Sequence, residues 1–238
     1  MKISIVVPAY NEENYLPATL GKIRAGLANV KCDSETIVVD NESSDKTRLI
    51  AENFGAKVFT EIERNIAKVR NTGAKNASGD VLIFVDADTL VSETLFGKIT
   101  DEMRDKKCFG GAVAVDYGEF KRKWMKFYLR GWQFWGTLFN MKQGAAQFCR
   151  KSVFEEIKGY DETIFMGEDV MFYWRLSKFA RRKNGRLFFI ENPKVTTSAR
   201  RFDGMSVWKT LLLTHPLFIL LTSKRRRFWR DWYEKAVR

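Results

Sequence analysis

Histidine is nearly missing: His215 is the only one in 238 residues, so histidine-rich metal centres and serine–histidine or cysteine–histidine relays have almost no raw material. Acid–base chemistry must therefore rest mainly on carboxylates. Cysteine is scarce as well. Cys32, Cys108 and Cys149 are odd in number and far apart, without the paired spacings of a zinc site or a small disulfide framework. That usage fits a reducing, cytosolic setting. The chain enters an apolar segment at once and reaches Pro8 too early for the charged, apolar and cleavage regions of a signal peptide. The mostly apolar stretch from Leu211 to Leu221 contains Pro216 and is short for a membrane-spanning helix. Internal repeats and low-complexity linkers are absent.

What the sequence has in excess is positive charge, 41 lysines and arginines against 29 acidic residues, for a formal +12. Such a balance favours nucleotides, phosphorylated lipids, anionic bilayers or nucleic acid, and does not choose among them. The length allows one substantial core, a single α/β domain with an appendage.

Ile3 to Pro8 is a β-branched run, and Leu16, Leu20, Ile23 and Leu27 follow at helical spacing, which predicts a strand, a polar turn and an amphipathic helix. A second unit has Thr36 to Val39 as strand, Asp40 to Asp45 as turn and Lys46 to Phe54 as a helix closed by Gly55. Lys57 to Phe59 reads as a short strand and Ile66 to Ala77 as a helix. Val81 to Val85 is apolar on both pleat faces, as a central parallel strand should be. Right-handed crossovers would then place Pro8 to Glu12, Asp40 to Asp45 and Asp86 to Asp88 on one rim, at the carboxyl ends of the strands. In the second half, strands are expected near Gly111 to Val115 and Leu187 to Ile190, a Gly144 to Phe148 segment between them, and helices around Val153 to Ile157 and Val170 to Ala180.

Two aspartates one residue apart, Asp86 and Asp88, suit Mg²⁺ or Mn²⁺ bridging to a diphosphate. Alternatively, one of them caps a following helix whose apolar positions begin near Leu90. The Asp40 to Asp45 turn offers side chains to a base and ribose, or is simply a well-capped turn. Neither a dinucleotide-type glycine cluster nor a kinase-type phosphate loop stands at the first turn. Glu168 and Asp169 begin another helix, where the dipole favours negative charge with or without a function.

Taken in order, Pro8-Ala9-Tyr10-Asn11-Glu12, Val39-Asp40-Asn41-Glu42-Ser43-Ser44-Asp45 with Thr47, Arg70-Asn71-x-Gly73, Asp86-Ala87-Asp88 and Gly159-Tyr160-Asp161-Glu162 with Gly167-Glu168-Asp169 and Arg175-Leu176 form a series. It resembles the signature of family 2 inverting glycosyltransferases. The resemblance implies an α/β GT-A fold, a Rossmann-like, mostly parallel central sheet flanked by helices, over residues 1–200. A basic, aromatic, amphipathic helical appendage would follow over 201–238. It further implies a nucleotide-diphospho-sugar donor held by Pro8, Ala9, Tyr10, Glu12, Asp40, Arg70, Asp86 and Asp88, a divalent ion (Mg²⁺ or Mn²⁺) on Asp88, and Asp169 as the base that deprotonates an acceptor hydroxyl. Glu168, Gly144, Arg200 and Arg201 are placed on the acceptor side or in support of these groups. Two departures stand out. Many relatives have Asp-Gly-Ser where this chain has Asn41-Glu42-Ser43, and many place a histidine near the metal where it has Thr196 to Arg201. Arg200 and Arg201 would then help hold phosphate, or form a solvated basic turn.

Lys121 to Trp135 and the Leu211 to Arg230 tail mix cations with large aromatics, as interfacial helices do. Peripheral contact with the inner face of the cell membrane and a lipid-linked acceptor are one expectation; packing on the core or on a second subunit is the other. Nucleic acid is not an expected partner, since no recognisable binding module accompanies these residues. Two rival functions share the same features: a sugar nucleotidyltransferase, and a non-catalytic domain that binds membranes or polyanions.

Overall fold

A computed structural model describes residues 1–118, 144–200 and 206–229, with Gly204 and scattered positions between 124 and 142. Arg201, most of the 120–139 stretch and the last nine residues lie outside the described set.

Eight strands form one sheet in the order β3-β2-β1-β4-β7-β6-β8-β5. They are β1 (Ile3–Ala9), β2 (Ser34–Asp40), β3 (Lys57–Thr60), β4 (Val81–Val85), β5 (Thr89–Leu90), β6 (Cys108–Asp116), β7 (Ala146–Arg150) and β8 (Arg186–Thr197). The first four strands in that order are parallel, each reached through a helical crossover. Strand β7 runs against both β4 and β6, and β8 runs parallel to β6. Antiparallel β7 carries the preceding Gly144 and Ala145 back to the end of β4, where the Asp86 N–H donates to the Ala145 carbonyl at 3.2 Å.

Every residue of β4 is buried, and alternation divides it between two cores. Val81, Ile83 and Val85 face Leu16, Leu20 and Ile23 of α1 (Leu16–Ala28) and Phe96 and Ile99 of α4 (Leu95–Arg104). Leu82 and Phe84 face α3 (Ile66–Asn76) together with Phe172 and Leu176 of α6 (Glu168–Arg182). Burying each such large apolar side chain contributes about 1.5–3 kcal/mol. Two short helices complete this part, α2 (Thr47–Asn53) and α5 (Lys151–Glu156).

Gly73 explains how α3 is seated. A Cβ there would lie 2.3 Å from Val6 Cγ1 and 3.0 Å from Val39 Cγ2, so only glycine lets the helix settle on β1 and β2. One turn earlier, Arg70 is thereby held at the strand ends.

Two elements differ from the sequence expectation. Thr89 and Leu90 pair with β8 as a short strand, and the next helix begins only at Leu95, with Thr94 at its N-cap position. Neither aspartate of the triplet therefore caps it. Strand β8 runs well beyond Leu187–Ile190 and across Pro193, because a register shift between Val113 and Val115 of β6 takes the proline out of the regular ladder.

In the C-terminal segment, Leu213 of α7 (Val207–Leu213), Phe218 and Ile219 of α8 (Pro216–Thr222) and Trp229 beyond it cluster with Phe165 and Met166. The Phe165 N–H donates to the Ser223 carbonyl at 2.7 Å. This cluster braces the loop that leads into α6. Among the described residues, no helix is long and apolar enough to cross a membrane.

Candidate active site

The first two β–α loops are stitched together by side chains. The Asn11 N–H donates to Ser43 Oγ at 2.9 Å, the Ser44 N–H to Asn11 Oδ1 at 2.8 Å, the Glu12 N–H to Thr47 Oγ1 at 2.7 Å and the Glu13 N–H to Asp45 Oδ2 at 3.1 Å. Asp45 also accepts from the Thr47 N–H at 2.9 Å. Burial works against its charge, but the Thr47 contacts outweigh it and keep Asp45 below the usual carboxylate range. Much of the polar 40–45 turn is thus consumed in shaping the rim. Pro8 and Ala9 are buried at the end of β1. Tyr10 follows, with the Arg64 guanidinium 3.5 Å from its ring centroid, and buried Asp40 ends β2, accepting from the Ser43 N–H at 3.2 Å. Asn11 and Glu42 both take positive φ, 53° and 55°.

The triplet after β4 sends its two aspartates to different arginines. Arg70, 3% exposed, donates from Nη2 to Asp86 Oδ1 and from Nη1 to Glu168 Oε1, each at 2.7 Å. Its guanidinium carbon lies 5.3 Å from the Tyr160 ring centroid. Burial disfavours its charge, yet Asp86 and the neighbouring acids outweigh that and raise its pKa further. Arg200 bonds through Nη2 to Glu12 Oε1 and lies 3.4 Å from Asp88 Oδ2, while Thr197 Oγ1 donates to Asp88 Oδ1 at 3.1 Å. The Ala87 carbonyl between the aspartates accepts from Thr19 Oγ1 at 2.8 Å, which ties the triplet to α1.

Asp169, in the first turn of α6, accepts from the Gly144 N–H at 2.6 Å through Oδ2 and from the Val170 N–H at 2.8 Å through Oδ1. Burial, then the adjacent Glu168 charge, push its carboxyl up to about 7, with Arg70 pulling the other way. Gly144 is the joint of this cluster. A Cβ there would meet Asp169 Cβ at 2.6 Å and Arg70 Nη2 at 3.2 Å, so a side chain would force the acid and the arginine aside. The Gly159 to Glu162 motif acts from behind: Asn71 Oδ1 accepts from the Tyr160 N–H at 2.9 Å, and Asn71 Nδ2 donates to Glu162 Oε1 at 2.9 Å.

These residues form two clusters that share only the 86–88 backbone: Arg70 with Asp86 and Glu168, with Asp169 held by Gly144 beside it, and Arg200 with Glu12 and Asp88. Tyr10 and Asp40 stand on the same rim, whereas Arg201 lies outside the described residues. Sequence reasoning overlooked Gln147. Fully buried on β7, it accepts from Tyr160 Oη at 3.1 Å and donates to the Asp169 carbonyl at 3.2 Å. A glutamine inside an otherwise apolar strand was its only signal. Arg64 was overlooked as well, and nothing in its spacing marks it; Thr197 lies in the Thr196 to Arg201 stretch set against the family's histidine, but was given no role.

A rim of paired acids and arginines at the carboxyl ends of parallel strands lies where folds of this class bind their ligands. The profile of Glycosyl transferase family 2 matches residues 4–158, and the chain belongs to that family. It is 41% identical over 105 residues to the uncharacterized glycosyltransferase YfnE of Bacillus subtilis (strain 168), a match covering 41% of this chain and 26% of that one. To the dolichol-phosphate mannosyltransferase of Pyrococcus furiosus it is 28% identical over 120 residues, covering 48% and 32%. The matched stretches thus span about a quarter to a third of these relatives' length. Among solved structures, S. aureus TarS 1-349 in complex with UDP-GlcNAc superposes with a TM-score of 0.66 at 19% identity, covering 87% of this chain and 62% of that one. A mannosyltransferase from Pyrobaculum calidifontis in complex with GDP-Man and Mn²⁺ gives 0.65 at 17%, covering 96% and 64%. These likenesses establish the GT-A fold.

Proposed function

We propose that the chain transfers a sugar from a nucleotide-diphospho-sugar to a hydroxyl acceptor with inversion, Asp169 acting as the base. The observation that carries this reading is Asp169 itself: a carboxyl raised to about 7, fixed by two backbone N–H groups and beside the arginine that grips Asp86. A base poised near neutrality accepts the acceptor proton as the oxygen attacks the anomeric carbon and the bond to the diphosphate breaks on the opposite face. In this reading Tyr10 and Asp40 would meet the base and ribose. Three buried donors without a hydrogen-bond partner among the described residues, Asn11 Nδ2, Arg64 Nη1 and Arg70 Nε, are the kind of group that a bound nucleotide or water satisfies.

A divalent ion fits as a shared ligand of protein and substrate. Among the described residues, no three of His, Cys, Asp and Glu gather, so Asp88, supported by Asp86, would hold it together with diphosphate oxygens, the habit of Mg²⁺ and Mn²⁺ at such sites. Bound there, it would offset charge on the leaving group.

A set of exposed apolar side chains, Trp208 at 82%, Leu212 and Leu221, stands on α7 and α8, and Lys224 to Arg227 follow in sequence. It supports a peripheral, cytoplasmic-face membrane contact and a lipid-linked acceptor. Product analysis tests the whole reading: transfer releases nucleoside diphosphate, whereas a nucleotidyltransferase releases pyrophosphate. Asp88→Ala should abolish transfer. Wild-type rates in Asp88→Ala and Asp169→Asn, or liposome binding with no affinity for any sugar nucleotide, would defeat it.

A further inference from the structure

Resting on the donor reading above, the geometry points to Arg200 as a resident counter-cation that keeps a divalent ion off Asp88 until a diphosphate arrives. Both Asp88 oxygens have protein partners, Oδ1 in Thr197 Oγ1 at 3.1 Å and Oδ2 in Arg200 Nη2 at 3.4 Å. The guanidinium is no casual neighbour. It is shared with Glu12 on the opposite loop, and its carbon stands 4.1 Å from the centroid of the Tyr15 ring. Burial opposes its charge, but the Glu12 hydrogen bond and the Glu12 and Asp88 charges outweigh it and raise its pKa.

An ion on Asp88 would bind its oxygen at about 2 Å and so face the guanidinium at short range, where two cations repel strongly. A diphosphate changes this balance in two ways. Its oxygens complete the ion's ligand set, and they offer the guanidinium fork a bidentate partner in place of Asp88. Ion and diphosphate therefore bind cooperatively, each raising the affinity for the other by the same factor. Arg200 thus acts as a positioning residue that sets the order of loading.

The test titrates Mn²⁺ into the full chain, free Mn²⁺ being read by its electron paramagnetic resonance signal, with and without UDP or GDP. Wild type should bind Mn²⁺ weakly alone and at least about tenfold more tightly with the diphosphate that it accepts. Without nucleotide, Arg200→Gln should bind Mn²⁺ about tenfold more tightly than wild type, and Arg200→Lys, which keeps the charge, should not. Equal Mn²⁺ affinity of wild type and Arg200→Gln without nucleotide overturns the inference. So does equal wild-type affinity with and without a diphosphate that binds, a comparison that needs no variant to fold. If neither UDP nor GDP binds even with Mn²⁺ present, the donor reading fails instead, and the nucleotide-free comparison still decides the role of Arg200.

Discussion

The two ends of the sheet each hold a hydrogen-bonded carboxylate, and they treat it in opposite ways. At the amino ends of the strands, Glu35 accepts from Ser4 Oγ at 2.6 Å, from the Ser78 N–H and Oγ at 2.6 and 2.7 Å, and from Lys57 Nζ at 2.7 Å. Burial works against its charge, but the Lys57, Ser4 and Ser78 bonds win and hold Glu35 at about 2. At the carboxyl ends, Asp169 receives two backbone N–H groups and lies beside a second acid, and it is pushed up to about 7. The satisfied knot at one end is a fastening. The unresolved tension at the other is what the proposed role of Asp169 draws on, since a group whose charge is costly at rest is one that chemistry can use.

The largest effect that would break this contrast is on turnover. Asp169→Asn should lower transfer by about 10²–10⁴ while nucleotide affinity, measured by calorimetry, stays near wild type. Next comes Arg70→Met, which leaves buried Glu168 and part-exposed Asp86 without their cation. It should cost about 3–5 kcal/mol in urea unfolding, because an uncompensated buried charge is worse than none. Glu35→Gln should cost about 1–3 kcal/mol in the same assay and leave transfer per folded molecule unchanged. A fall in turnover there would erase the distinction between the two ends.

Acidity separates them further, and the signs differ. Glu35 is lowered in the folded state, so its stabilisation is present above its unfolded value near 4.3 and is lost as pH falls toward about 2. Asp169 is raised, so folding favours its protonated form. That contribution is whole below about 4 and is lost as pH rises through about 7. Transfer needs the ionised base and should climb through the same interval. A rate profile flat from pH 5 to 8 (about three units around the raised value) would remove Asp169 from the role of base. The smallest effect concerns the rim turn. Glu42 holds φ at 55°, a left-handed conformation that glycine adopts without strain. Glu42→Gly should therefore stabilise by about 0.5–1 kcal/mol, the relief of strain being partly offset by the freer unfolded chain.

Much of this protein was legible in order and period. The continuous apolar run of β4, the helical spacing of Leu16, Leu20 and Ile23 and the glycine after Asn53-Phe54 are local signals, and local sterics and burial decide them. The same holds for the rim, because parallel crossovers force the strand ends that carry Asp40 and Asp86 to one side. The family signature added which acids belong together.

Only the tertiary structure decided the partners. That Asp86 takes Arg70 while Asp88 takes Arg200, that Gln147 and Gly144 lock the back of Asp169, and that the C-terminal helices brace the loop before α6 are contacts between residues far apart in the chain. No period or propensity encodes them. They follow from antiparallel β7 and from the close seating of α3 over Gly73, where packing at ångström tolerance selects which charges meet.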